Sequence, residues 1–120
     1  MKLAVTSQGP DKDSLVDPRF GRANYFVLYD TKTKQFSAVD NDRNLNAVQG
    51  AGIQAARHMV NLGVDVVITG HTGPKAFTTL QGGHVKVFTG ANGTAIQAIE
   101  QFKAGQLTQV DNADVQGHWV

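Results

Sequence analysis

Hydrophobic and polar positions follow two different periods along this chain. Five short apolar runs have the length and the β-branched or aromatic content of strands: KLAVTS (2–7), NYFVLYD (24–30), KQFSAVD (34–40), VDVVITG (64–70) and HVKVFTG (84–90). The second and third runs are separated only by TKT, and this spacing predicts an antiparallel hairpin. The near-continuous apolar character of the fourth run is typical of a buried parallel strand.

Three other segments show the longer period of a helix. In the first segment, apolar residues recur on one face and Gly63 ends the pattern; the residues are Val48, Ala51, Ala55, Met59 and Leu62. GPKAFTTLQGG (73–83) has a proline in its first turn. GTAIQAIEQFKAG (93–105) has Thr94 as a candidate cap and Gly105 as a stop. The sequence therefore predicts three helices interleaved with the later strands.

The order of these elements predicts a single-domain α/β fold over residues 1–120. We expect a five-stranded mixed sheet in which one antiparallel hairpin leads into parallel βα units, with helices on both faces. The last segment, about 107–120 (LTQVDNADVQGHWV), has little periodicity, and we expect a loosely held tail with Trp119 as a candidate anchor.

Composition excludes several classes of function. Lys and Arg number 11 against 10 Asp and Glu, so the net charge of +1 indicates no broad basic field and no nucleic-acid partner. The absence of cysteine excludes disulfides, thiolate metal sites and a cysteine nucleophile. Because no stretch approaches the roughly 20 apolar residues of a membrane span, we expect a cytoplasmic protein without a membrane partner.

Three loops should meet at one edge of the sheet. They are SQGPDKDSLVDPRFGRA (7–23), GHTGP (70–74) and GANGT (90–94), which follow the first, fourth and fifth strands. The carboxyl ends of parallel strands are where ligands bind in such sheets. Glycines and a helix start would let backbone N–H groups approach an anion. Ordinary turn chemistry explains any one of these loops equally well, so the prediction depends on all three together.

The candidate side chains favour anion binding over catalysis. Arg19 and Arg22 flank Phe20 and could neutralise a bound charge, while His71 is a candidate metal ligand or, alternatively, a structural turn residue. The spacing of the four histidines gives no closed metal site, and neither a dinucleotide fingerprint nor a Walker A loop is present. No catalytic residue is predicted. The candidate binding residues are Arg19, Phe20, Gly21, Arg22, Gly70, His71, Thr72, Gly73, Pro74, Gly90 and Asn92, with His71 as the metal ligand.

Three blocks carry a family resemblance: DPRFGRANYFVLYD (17–30), GAGIQAARHMVNLGVDVVITG (50–70) and GPKAF (73–77). In this order they resemble the dinitrogenase iron-molybdenum cofactor biosynthesis family, small nitrogenase-accessory carriers. The resemblance implies a ribonuclease-H-like α/β fold and the binding or delivery of a metallocluster, without established catalysis. Nitrogenase-linked members often carry His-Phe-Gly-x-Cys in the first loop, where this chain has Arg19, Phe20, Gly21, Arg22 and Ala23.

The loss of two potential ligands favours noncovalent carriage of a preassembled anionic metal-sulfide cluster. The resemblance implies a molybdenum-copper sulfide cluster, with the iron-molybdenum cofactor or its precursor as the second choice. Arg19 and Arg22 would neutralise charge, Phe20 and Pro74 would supply apolar contact, and Gly70, Gly73 and Gly90 would admit backbone donors. The alternative is a regulatory or scaffold module that binds a protein partner through the same edge. An enzyme acting on a phosphorylated small molecule is the third reading.

Overall fold

The structure is a computed structural model that describes residues 1–41 and 50–110 of the chain. Six strands form one mixed sheet in the order β3-β2-β1-β4-β5-β6. Their bounds are β1 Lys2–Ser7, β2 Tyr25–Asp30, β3 Gln35–Asp40, β4 Val66–Ile68, β5 Lys86–Thr89 and β6 Thr108–Val110. β1 lies at the centre, where it pairs antiparallel with β2 and parallel with β4. β4 pairs parallel with β5, and β6 closes the far edge antiparallel to β5.

Three helices of the described residues cover the two faces of this sheet. They are α1 (Ala51–Asn61), α2 (Pro74–Gly82) and α3 (Ala95–Lys103). Alternate residues of the central strands point to opposite faces. Those of one face, such as Ala4 and Val67, pack with α1 and α2. Those of the other face, such as Leu3 and Ile68, pack with α3. The predicted arrangement of helices on both faces is confirmed.

The local signals of the sequence account for most element ends. The hairpin of β2 and β3 pairs Tyr25 with Asp40 and Asp30 with Gln35, as its spacing predicts. Thr94 caps α3 through a reciprocal pair of hydrogen bonds with Gln97. Gly63 and Gly105 follow the ends of α1 and α3 with positive φ, a conformation that glycine adopts without steric cost.

The prediction of five strands was wrong, because β6 lies within the segment that was expected to be a loose tail. β6 has three residues, of which two are exposed, and its one strand partner among the described residues is β5. So short an edge strand leaves no alternation to detect. Val48 and the candidate anchor Trp119 lie outside the described residues, as do all of residues 111–120. The ribonuclease-H-like assignment stays a prediction.

Candidate anion-binding cleft at the carboxyl edge of the sheet

The long first loop is hydrogen-bonded to both of the other loops, the second loop after β4 and the third loop after β5. Its residues near Pro18 join the second loop: the His71 amide donates to the Pro18 carbonyl oxygen at 2.9 Å. Arg19 and His71 also form an isolated parallel bridge. Its earlier residues join the third loop, where the Val16 amide donates to the carbonyl oxygen of Gly93 at 2.8 Å. The three loops therefore share one edge, as predicted.

The third loop is closed by these contacts. The first amides of α3 are hydrogen-bonded to the first loop: Ala95 donates to the Ser14 carbonyl and Ile96 to the Lys12 carbonyl, both at 2.8 Å. Asn92 is held by Gln101, whose side-chain amide donates to the Asn92 carbonyl and to its Oδ1, both at 3.1 Å. The N-terminus of α3 thus already has its hydrogen-bond partners.

The second loop instead opens into a cleft. The cavity has a volume of about 470 Å³ and lies between the first loop, the second loop and the N-termini of α1 and α2. Among the described residues, its lining contains three cationic side chains and one histidine but no Asp or Glu. The lining residues are Arg19, Phe20, Gly21, Arg22, Gly50, Gly52, Ile53, His71, Thr72, Gly73, Pro74, Lys75 and Ala76. We refer to this cavity as the cleft.

Both helices that point into the cleft begin without a side-chain cap. Gly50 precedes α1 and Gly73 precedes α2, and neither residue makes a side-chain cap hydrogen bond. Neither helix carries an acidic residue in its first turn. The first N–H groups of a helix have no partner within the helix, and they carry a partial positive charge. The positive dipole ends of α1 and α2 therefore both face the cleft, whereas the N-terminus of α3 is capped by Thr94.

Arg19 is oriented by the carboxylate of Asp17. Arg19 Nε donates to Asp17 Oδ1 and Nη2 donates to Oδ2, both at 3.2 Å. This hydrogen-bonded pair raises the pKa of Arg19 above its ordinary value, and the negative charge of Asp17 adds to the effect. The carboxylate also offsets part of the Arg19 charge.

Several predicted residues have a packing role at this edge. The ring of Phe20 is 2% exposed and lies 5.7 Å from that of Phe26, so most of its contacts are with the core. A Cβ on Gly21 would lie 2.8 Å from backbone atoms of Gly52, so the first loop closely approaches α1. A Cβ on Gly70 would lie 2.6 Å from Pro18 Cα. Glycine at positions 21 and 70 therefore allows the close contact between the neighbouring elements.

The structure brings together most of the predicted residues, but not all. Gly70, Gly90 and Asn92 do not line the cleft. Gly73 has φ −76, whereas Gly90 has φ 93, a positive value that glycine adopts without steric cost. His71 lines the cleft and is half-buried. Among the described residues there is no group of three or more His, Cys, Asp or Glu that could hold a metal ion.

Sequence reasoning missed the contribution of α1 and of the second and third residues of α2. Gly50, Gly52 and Ile53 line the cleft from α1, and Lys75 and Ala76 line it from α2. The sequence signal for α1 was GAG (50–52), which places two glycines at the start of a helix. Because α1 precedes β4 in the chain, no local rule predicts that its N-terminus lies beside the first loop. Lys75 directly follows the predicted Pro74 and is exposed.

A mixed α/β sheet with a basic cleft at the carboxyl ends of its parallel strands is typical of small ligand-binding domains. A family model described as dinitrogenase iron-molybdenum cofactor matches residues 1–105, and the chain belongs to this family. The resemblance predicted from the sequence is thereby confirmed. The general activity supported by this membership is the binding or carriage of a metal cluster.

Solved structures and a curated relative agree with this assignment. The apo form of the orange protein from Desulfovibrio gigas is 41% identical, with 94% of this chain and 95% of that chain covered and a TM-score of 0.89. A putative NifB protein from Thermotoga is 33% identical, with coverages of 94% and 97% and a TM-score of 0.80. An uncharacterised protein of Methanocaldococcus jannaschii is 28% identical over 115 residues, 92% of each chain. Within the described residues, no helix is long and apolar enough to cross a membrane.

Proposed function

We propose that this chain is a noncatalytic carrier that holds an anionic metal-sulfide cluster noncovalently in the cleft, as a single metallocluster-binding domain. The observation that carries the proposal is the charge pattern of the lining: Arg19, Arg22 and Lys75 lie around two helix starts without side-chain caps, and no acidic residue lines the cleft within residues 1–41 and 50–110. Helix N-termini and guanidinium groups both favour a multiply charged anion.

The proposed cluster contains molybdenum and copper bridged by sulfide. This choice is supported by the first loop, where Arg19 and Ala23 occupy the places in which nitrogenase-linked members often carry histidine and cysteine. Ala23 is fully buried, and the chain contains no cysteine. With no thiolate to ligate iron, the sulfur must come with the cargo, and the protein contributes charge, N–H donors and at most the His71 imidazole as a direct ligand.

The test is reconstitution of the purified chain with tetrathiomolybdate and copper. Desalted protein should retain both metals in a fixed ratio and show a visible absorption band. The variant Lys75→Glu should bind at least tenfold more weakly, a difference of about 1.4 kcal/mol. It replaces a cation at the cleft with an anion, and a glutamate in the first turn of α2 is favourable for the helix.

Lys86→Glu is the matched control, because it makes the same change of charge at an exposed residue that does not line the cleft. Lys86 begins β5 and so lies at the amino end of that strand. It should bind the metals as the parent does. Equal losses in the two variants, or a parent that retains no metal after desalting, would contradict the proposal.

A further inference from the structure

Thr72 carries a buried hydroxyl that differs from the other buried hydroxyls of the described residues. The residue is 3% exposed, and its Oγ1 has no hydrogen-bond partner within residues 1–41 and 50–110. Burial of a hydroxyl without a partner is unfavourable, whereas valine would occupy the same shape without that penalty. An unsatisfied group at such a place requires an explanation.

The other buried threonines at this edge are satisfied. The Thr6 hydroxyl is hydrogen-bonded to the Asp17 carbonyl oxygen at 2.6 Å and to the Thr69 hydroxyl at 2.8 Å. Thr72 lines the cleft instead, one residue before the N-cap of α2. Its position and its lack of a partner together indicate that the missing acceptor belongs to a ligand.

We infer that Thr72 and the N-terminus of α2 form a subsite for a single tetrahedral, multiply charged anion with oxo or sulfido atoms, such as molybdate or tetrathiomolybdate. The subsite lies within the cleft and rests on the proposed function, which it deepens by naming the group that contacts the cargo. The Thr72 hydroxyl donates to one atom of the anion. The first amides of α2 and the ammonium group of Lys75 provide the complementary positive charge.

Three substitutions separate this role from a structural one. Thr72→Val removes the hydroxyl and keeps the shape, while Thr72→Ser keeps the hydroxyl. Thr78→Val is the matched control: it removes an exposed hydroxyl on α2 that donates to the Pro74 carbonyl oxygen at 2.9 Å. Each protein is titrated calorimetrically with tetrathiomolybdate alone and with molybdate alone, at one ionic strength and without copper.

Thr72→Val should bind the preferred anion at least tenfold more weakly than the parent, because a hydrogen bond to a charged acceptor is lost. Thr72→Ser should stay within about threefold, and Thr78→Val should match the parent. Tighter binding of tetrathiomolybdate by the parent assigns a sulfido subsite, and tighter binding of molybdate assigns an oxo subsite.

Thermal unfolding of the unloaded proteins supplies an independent measurement. Thr72→Val should melt at or above the temperature of the parent, because the substitution removes an unsatisfied buried group. A Thr72→Val chain that is destabilised or unfolded would show that the hydroxyl has an intramolecular partner, and it would overturn the inference.

The titrations also distinguish failure of the subsite from failure of the carrier function. The subsite is overturned if the parent binds neither anion alone, or if Thr72→Val binds as tightly as the parent. In either case, retention of molybdenum and copper by the reconstituted parent would leave the carrier function standing. Failure of the parent to retain both metals would refute the carrier function itself.

Discussion

At the scale of single residues, Asp17 combines two kinds of interaction. Its carboxylate, 4% exposed, accepts from the Arg19 amide at 3.0 Å and from the Arg19 guanidinium at 3.2 Å. The Arg19 side chain is 60% exposed, so water screens the ion pair, and its contribution to the free energy of folding should be small. The backbone hydrogen bond should contribute more than the ion pair.

This comparison leads to a prediction for two substitutions. Asp17→Asn should lower the free energy of unfolding by less than about 1 kcal/mol, because the side-chain oxygen can still accept from the Arg19 amide. Asp17→Ala should lower it by about 1–3 kcal/mol, because that amide loses its acceptor. Urea denaturation of the unloaded protein measures both values. Similar losses for the two variants would mean that the charge of Asp17 dominates.

At the scale of elements, the close contact between the first loop and α1 determines one wall of the cleft. Gly21→Ala should destabilise the protein by about 1–3 kcal/mol, because the new methyl group would meet the backbone of Gly52 and force the two elements apart. Gly82→Ala is the control, since a Cβ there meets nothing within 4 Å. The control should be neutral or stabilising by up to about 1 kcal/mol, owing to its better helix propensity. Thermal or urea unfolding compares them, and an unaffected Gly21→Ala protein would refute this tight contact.

The elements also show how far local sequence signals reach. The strands β1 to β5 and the three described helices could be predicted, because periodicity, turn residues and the Thr94 cap act within a few residues. β6 could not, because three residues at an edge are held by pairing with β5 and not by any pattern of their own. Such non-local pairing overrides weak propensity.

The candidate site was predictable to a similar extent. The convergence of three loops follows from the direction of the parallel strands, and it placed Arg19, Arg22 and His71 at the correct edge. The sequence did not show that residues near Ser14 would cover the third loop and satisfy the N-terminus of α3. It also did not show that Gly50 would face the same cavity, because that contact depends on how α1 packs against the sheet.

At the scale of the whole molecule, the net charge is nearly zero while the cleft is locally basic. Cargo affinity should therefore fall with ionic strength, since the screening length shortens from about 10 Å at 0.1 M salt to about 3 Å at 1 M. Desalting after reconstitution in 0.1 M and in 1 M potassium chloride measures this dependence.

In guanidinium, the unfolded chain should release the cluster with its absorption band intact. Retention of the metals by the unfolded chain would demonstrate covalent ligation.

The strand order has a consequence for how the chain acquires its structure during synthesis. β1 is made first, yet one of its two neighbours in the sheet is β4, Val66–Ile68. At a translation rate of roughly 5–20 residues per second, several seconds pass between the synthesis of β1 and that of β4, and during this time the edge of β1 that pairs with β4 has no partner. The apolar side chains of Leu3 and Val5, fully buried in the finished sheet, are exposed during that interval. Until β4 has been synthesised, that edge of β1 is therefore open to non-native strand pairing.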